Sequence, residues 1–215
     1  MADLIIATST APSTPSSGFA DNYVDSTTKM WRTKNDAGNI RVYPHMLTNA
    51  SAVGASAAFA ADTYLSGSNI VIPVAGDWLV NMTYYCQFDM TKTANGTATF
   101  IITIRMGTAG TTSDTAIQTI TFAAGTAAID EGIFEVYATF KSVGSGTSAV
   151  LVSSAKCSHH LAATGLVSTG ASGTGIIKNT SSGFNSTTPT TIGLSINGGA
   201  SFSGTNVQVQ SQLSI

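Results

Sequence analysis

The chain has 215 residues, a formal net charge of −2, and only 9% charged side chains against 43% hydrophobic ones. A chain of this length buries roughly 70% of its unfolded surface and can build a core without disulfides or metal, as one β domain or two small ones. The charge balance does not suit a nucleic-acid binder, because phosphate contacts need clustered Lys and Arg, and no apolar run reaches the ~18 residues of a membrane-spanning helix.

Thr, Ser, Gly and Ala fill the positions that charges usually take. The expected surface is neutral and hydroxyl-rich, as in a protein held in an assembly or standing outside a cell. At the N-terminus, Leu4-Ile5-Ile6-Ala7 follows Asp3 with no basic region before it, too short for a signal peptide. Synthesis in a cytoplasm is therefore expected, without export by the general route. Residues 1–18 are rich in Ser, Thr and Pro and read as an extended N-terminal arm. Fully stretched, such an arm spans at most about 55–60 Å, enough to pack its apolar tip on a neighbouring subunit. A frayed terminus is the plainer alternative.

Residues 19–46 carry three short β-type runs, Phe19–Val24, Lys29–Thr33 and Ile40–Tyr43. Turn-forming clusters separate them, Asp25–Thr28 and Asn35–Asn39, and Gly38 allows positive φ. This predicts a small β-meander. It holds Lys29, Arg32, Lys34 and Arg41, four of the nine basic residues. A solvated strand face explains them most simply; a contact with an acidic partner surface is the sharper reading.

Within this stretch the order of elements is distinctive. Pro15-Ser16-Ser17-Gly18 precedes Phe19; Tyr23-Val24-Asp25-Ser26 follows; then come Trp31, Lys34 and Asn35-Asp36-Ala37-Gly38-Asn39-Ile40. These residues resemble the start of many tailed-bacteriophage virion proteins. The resemblance implies a structural protein of the virion, and marks membership of the particle better than a position on it.

Residues 47–68 are Ala- and Ser-rich; Gly54 and the lack of a charged face favour strand or loop over helix. A strand is predicted over Asn69–Val74, closed by Ala75-Gly76-Asp77. From Trp78 to Met90 the alternation has period two. Trp78, Val80, Met82, Tyr84, Cys86, Phe88 and Met90 share one face, and Leu79, Asn81, Thr83, Tyr85, Gln87 and Asp89 the other. Further apolar rows follow: Phe100 to Met106, Ile120 with Phe122, Phe134 to Phe140, Val150 to Cys157, Ile192 to Ile196, and Val207 to Ile215 with Gln208, Gln210 and Gln212 interleaved. About eight strands with Gly/Ser/Thr/Asn loops predict an all-β chain in which residues 47–215 form an antiparallel, jelly-roll-like β-sandwich. Residues 159–190, broken by glycines, read as long loops, where variable binding surfaces tend to lie.

Pro73 followed by Gly76-Asp77-Trp78 resembles the strand entry of TNF/C1q-like trimeric jelly rolls. That resemblance implies a homotrimer. Leu79, Tyr85 and Ile101 lie opposite the main core rows and are the candidates for a trimer interface; scattered exposed apolar residues are the plainer reading.

Residues with catalytic potential are few. Cys86 and Cys157 sit in apolar runs and are expected as buried thiols in a reducing compartment; a disulfide cannot be read from one pair. The histidines are His45, His159 and His160. Cys157 and His159 share one side of a strand, which allows a metal pair, but structural zinc needs four ligands and no second cluster exists. Asp130-Glu131 is the one adjacent acidic pair; carboxylates that hydrolyse glycosidic bonds must flank a cleft, and a solvated strand start is the plainer reading. No phosphate loop, dinucleotide fingerprint or nucleophile elbow occurs.

The sequence thus leads to an expectation of a non-enzymatic protein with no catalytic residues, cofactor or metal, and without nucleic-acid or membrane partners. It would be a homotrimeric capsid decoration (cement or head-fibre) protein. Lys29, Arg32, Lys34 and Arg41 would contact the major capsid protein or another virion protein. The alternative is a receptor-binding tail module whose 159–190 loops contact a host surface glycan.

Overall fold

Among the described residues, strands are the elements that position the side chains. The structure is a computed structural model and describes residues 8–27, 31–38, 40–42, 46–53, 59–72, 74–93, 95–161, 164–166, 174–199 and 207–214. It divides into two units, Met1–His45 and Met46–Ile215.

The first unit is a four-stranded sheet in the order β1-β2-β3-β4: Thr8–Ser9, Ala20–Asp25, Trp31–Asn35 and Ile40–Val42. The antiparallel register sets Tyr23 opposite Arg32 and Asp21 opposite Lys34. The Asn35–Gly38 turn closes on a Gly38 N–H bond to the Asn35 carbonyl, with Gly38 at φ 80°. Such a φ costs glycine nothing. Residues 8–18, expected as part of an extended arm, instead return along the meander. Thr8 and Ser9 pair in parallel with Val24 and Asp25, Lys34 Nζ donates to the Pro12 carbonyl at 2.8 Å, and the Gly18 N–H donates to Asp36 Oδ2 at 2.8 Å. The exposed edge of β2 offers unpaired backbone groups, and any chain can pair with them whatever its side chains. Residues 1–7 of the expected arm lie outside the described residues, as does Lys29.

The second unit is an antiparallel β-sandwich. Its strands are β5 Met46–Val53, β6 Thr63–Tyr64, β7 Ile70–Val71, β8 Thr83–Lys92, β9 Thr99–Gly107, β10 Thr115–Ala124, β11 Asp130–Ser142, β12 Val150–His159, β13 Thr174–Thr180, β14 Thr191–Asn197 and β15 Val207–Ser214. One sheet has six strands in the order β13-β12-β11-β8-β15-β5. The other runs β10-β9-β14-β6, with β7 also on β14. Period-two alternation drives the packing: along β8 every second residue, from Tyr84 to Lys92, is buried.

Phe134 sits at the middle of the core. It stacks on Phe88 of its own sheet with ring centroids 5.1 Å apart. It meets Phe100 of the opposite sheet at 4.4 Å, and Phe122 edge-on at 5.5 Å. Such pairs add about 0.5–1.5 kcal/mol each beyond their buried area. Cys86 and Cys157 are both free and buried.

The structure corrects three sequence boundaries. Trp78–Met82 is not strand: the Met82 N–H bonds the Leu79 carbonyl in a turn, Asn81 has φ 70°, and Val80 is exposed. Trp78 is buried all the same, because its Nε1–H donates to the Pro189 carbonyl at 2.9 Å and its ring stacks on Phe140. The strand expected over Asn69–Val74 shrinks to Ile70–Val71. Conversely, β13 lies inside the 159–190 stretch read as loop; it pairs along β12 from Val152↔Thr180 to Ser158↔Thr174.

Candidate functional site

The two acidic and histidine motifs of the sequence meet at one place, the end of the β11–β12 hairpin. Backbone register sets Gly132 opposite His159 and Asp130 opposite Lys92. His159 Nδ1 and Asp130 Oδ2 are 2.6 Å apart, and both side chains are fully buried. Asp130 Oδ2 also accepts from the Leu166 N–H at 2.9 Å. Its Oδ1 accepts from the Glu131 N–H at 2.9 Å and the Leu161 N–H at 3.1 Å.

Those four bonds decide what the carboxylate can do. A carboxylate offers about four lone-pair sites, and here all are used by the chain itself. None is left for a metal or a substrate. The bonds instead tie residues 161 and 166 to the strand ends, which makes Asp130 a latch for that loop. Gly165 lies against it: its φ is +95°, and a Cβ there would collide with the Asp130 carboxylate.

Adjacent groups follow the same logic. Lys92 is buried, and its Nζ donates to the Ala128 carbonyl at 2.9 Å. Burial lowers its pKa, while the nearby Asp130 carboxylate pulls it back up. Burial pushes the Cys157 thiol up to about 12, with a further upward push from Asp130. Burial likewise pushes Cys86 to about 12. Thiols held neutral in this way are poor nucleophiles and poor metal ligands.

Glu131 does not join Asp130. Neighbouring residues on a strand point to opposite faces, so Asp130 is buried and Glu131 exposed. The two carboxylates therefore point to opposite faces of the sheet. A shallow space of about 200 Å³ beside them is lined by Thr91, Ile129, Asp130, Glu131 and His160. Among the described residues no group of three or more His, Cys, Asp or Glu side chains is placed to hold a metal ion.

The basic residues of the meander are placed differently from one another. Arg32 is buried, with Nε 3.8 Å from Asp25 Oδ2. Lys34 is tied to Pro12. Both therefore serve the first unit internally. Arg41 lies on β4, paired with Thr33, and its side chain is outside the described part; Lys29 lies outside it altogether.

The three interface candidates do not share one face. Leu79 is half-buried against the core. Tyr85 is on the outer face of the six-stranded sheet, its ring 4.7 Å from that of Tyr137 and its hydroxyl donating to Gln87 Oε1 at 2.8 Å. Burial, then the neighbouring Tyr137, pushes the Tyr85 phenol up to about 12. Ile101 is on β9 of the opposite sheet, between the core residues Phe100 and Ile102, and so faces outward on the other side. Sequence alternation identifies which residues leave the core, but not which sheet they leave it from.

Fold and site together define an all-β protein built on an antiparallel sandwich, with a buried Asp–His latch. No protein-family model, curated protein or solved structure matches the chain.

Proposed function

We propose that this protein is a non-enzymatic structural component of a tailed-phage virion: a homotrimeric decoration protein, of cement or head-fibre type, bound to the capsid exterior after synthesis in the host cytoplasm. One observation carries most of this reading. The segment with the virion-like motif forms its own unit, Met1–His45, distinct from the unit Met46–Ile215 that holds the sandwich. That division suits an attachment piece joined to a head.

The strand order also supports it. In the runs β5-β15-β8-β11 and β6-β14-β9-β10 the chain crosses between the two sheets after most strands, with β9–β10 a hairpin within one of them, as in a jelly roll. The β12–β13 hairpin then extends one sheet. The filled carboxylate of Asp130 fits a structural rather than a catalytic role for the most suggestive polar cluster. Decoration would act through buried area across capsomer seams, at roughly 25 cal/mol per Å², repeated over many copies.

The test is binding of labelled full-length protein to undecorated particles, followed by imaging of the particle. Saturation at hundreds of copies on the shell is expected. Location of a few copies at the tail tip would replace decoration with receptor binding, and no association with any particle would remove the virion reading.

A further inference from the structure

The two outer faces of the sandwich are chemically unlike each other. Ten large hydrophobic side chains are exposed among the described residues. Four of them, Ile133, Tyr137, Val152 and Ile176, project from β11, β12 and β13 on the outer face of the six-stranded sheet. The other sheet contributes one, Val71 on the short β7, and none from β9, β10 or β14. Tyr85 adds a half-buried ring against Tyr137.

We infer that this outer face is the surface through which copies of the chain associate. The inference rests on the self-association in the reading above, and names its surface. Three features point to a second copy rather than to a different partner.

The first is charge. The outward charged residues of the sheet are Asp89, Glu131 and Glu135 against Lys141, Lys156 and Lys178, three of each sign and a net of zero. Glu135 and Lys156 already pair at 3.0 Å. A face of zero net charge does not repel its own copy and holds no steering field for a strongly charged partner.

The second is hydrogen bonding. The side-chain amides of Gln210 and Gln212 stand on β15 next to Gln87 and Tyr85, and make no hydrogen bond within the described chain. An amide carries donors and an acceptor together. An identical amide on a neighbouring copy satisfies it, whichever symmetry relates the two.

The third is size. Six strands at about 4.8 Å spacing and about eight residues of ~3.3 Å rise give a face of roughly 700 Å². A standard interface takes about 600–1,000 Å² from each partner, and the face lies within that range.

The experiment is sedimentation equilibrium of the full-length protein across a range of micromolar concentrations. Wild type is expected at a multiple of 21.9 kDa. The double variant Tyr137→Lys with Ile176→Lys is expected to raise the dissociation constant about a hundredfold or more, and to shift the mass to that of one chain. Thr121→Lys, on the outward side of β10, is the control and is expected to leave the mass unchanged. Circular dichroism and melting curves establish that each variant is folded. Should the double variant fail to fold, Ile176→Thr replaces it, at a site 64% exposed. A monomeric wild type overturns the self-association reading itself. An oligomer indifferent to the Tyr137 and Ile176 substitutions, or one broken by Thr121→Lys, overturns only the assignment of this face.

Discussion

Asp130 and His159 face each other across the β11–β12 hairpin with Oδ2 and Nδ1 2.6 Å apart and both side chains fully buried. Asp130 also holds three backbone N–H groups, of Glu131, Leu161 and Leu166. Replacing it by Ala leaves those donors and the imidazole without their acceptor. Removing one partner from a buried, charge-assisted network costs about 3–5 kcal/mol. Urea titration of Asp130→Ala should show a loss of that order, and a change under about 1 kcal/mol would mean that the latch contributes little.

Gly165 tests the same latch through the backbone. At φ +95°, and with the Asp130 carboxylate where a Cβ would stand, Gly165→Ala meets both backbone strain and a collision. A loss of about 1–3 kcal/mol is expected. Hydrogen exchange at Leu161 and Leu166 should quicken in this variant while the β8 amides stay protected. Uniform loss of protection across the sandwich would show that the latch is not a local element.

The thiols predict an alkaline limit to stability. The Cys86 and Cys157 pKa values rise from 9.0 to about 12 in the folded state. Below pH about 9 both states keep the thiols protonated, and stability is full. Between about 9 and 12 the unfolded chain loses these protons first, so stability falls with pH, by up to about 1.4 kcal/mol per unit for each thiol. Denaturant titrations from pH 8 to 11 should show this decline, and Cys157→Ala should make it shallower. A disulfide-exchange reagent at pH 8 should react with neither thiol until the protein is unfolded; rapid reaction of the native protein would contradict their burial.

Phe134 predicts the sensitivity of the core. It touches aromatic rings from both sheets, Phe88 on one side and Phe100 and Phe122 on the other. Phe134→Ala should cost about 3–5 kcal/mol. Phe134→Leu should cost less, since it keeps most of the volume. Thermal melts of the two variants separate the loss of volume from the loss of ring geometry; equal losses would mean that ring stacking, not filling, dominates.

Much of the sandwich was legible in the chain. Phe134, Val136, Ala138 and Phe140 alternate along β11, and the structure buries all four. The alternation from Trp78 was misleading at its start, because a buried Trp in a turn gives the same period-two pattern as one in a strand. β13 was missed because its Gly-, Thr- and Asn-containing sequence, Thr174–Thr180, gains its strand conformation from backbone pairing with β12 rather than from its own propensity. The pairing of Thr8–Ser9 with β2 escaped for the same reason.

The latch was half legible. Asp130, Glu131, Cys157, His159 and His160 all stand out in the sequence as residues with potential chemistry. Asp130, expected at a solvated strand start, is instead buried against His159, and nothing in the sequence joins the two, 29 residues apart.

By itself, then, the sequence determined the all-β class, the inward rows of the long strands and the buried state of both cysteines. These follow from side-chain periodicity and hydrophobicity, which are local. Only the tertiary structure decided that Arg32 and Lys34 are used within their own unit and that Tyr85 and Ile101 leave opposite sides of the sandwich. It alone closed the Asp130 carboxylate with four bonds from its own chain. Those outcomes depend on register between strands distant in sequence, and register is fixed by the packing of the whole sheet rather than by any stretch of it.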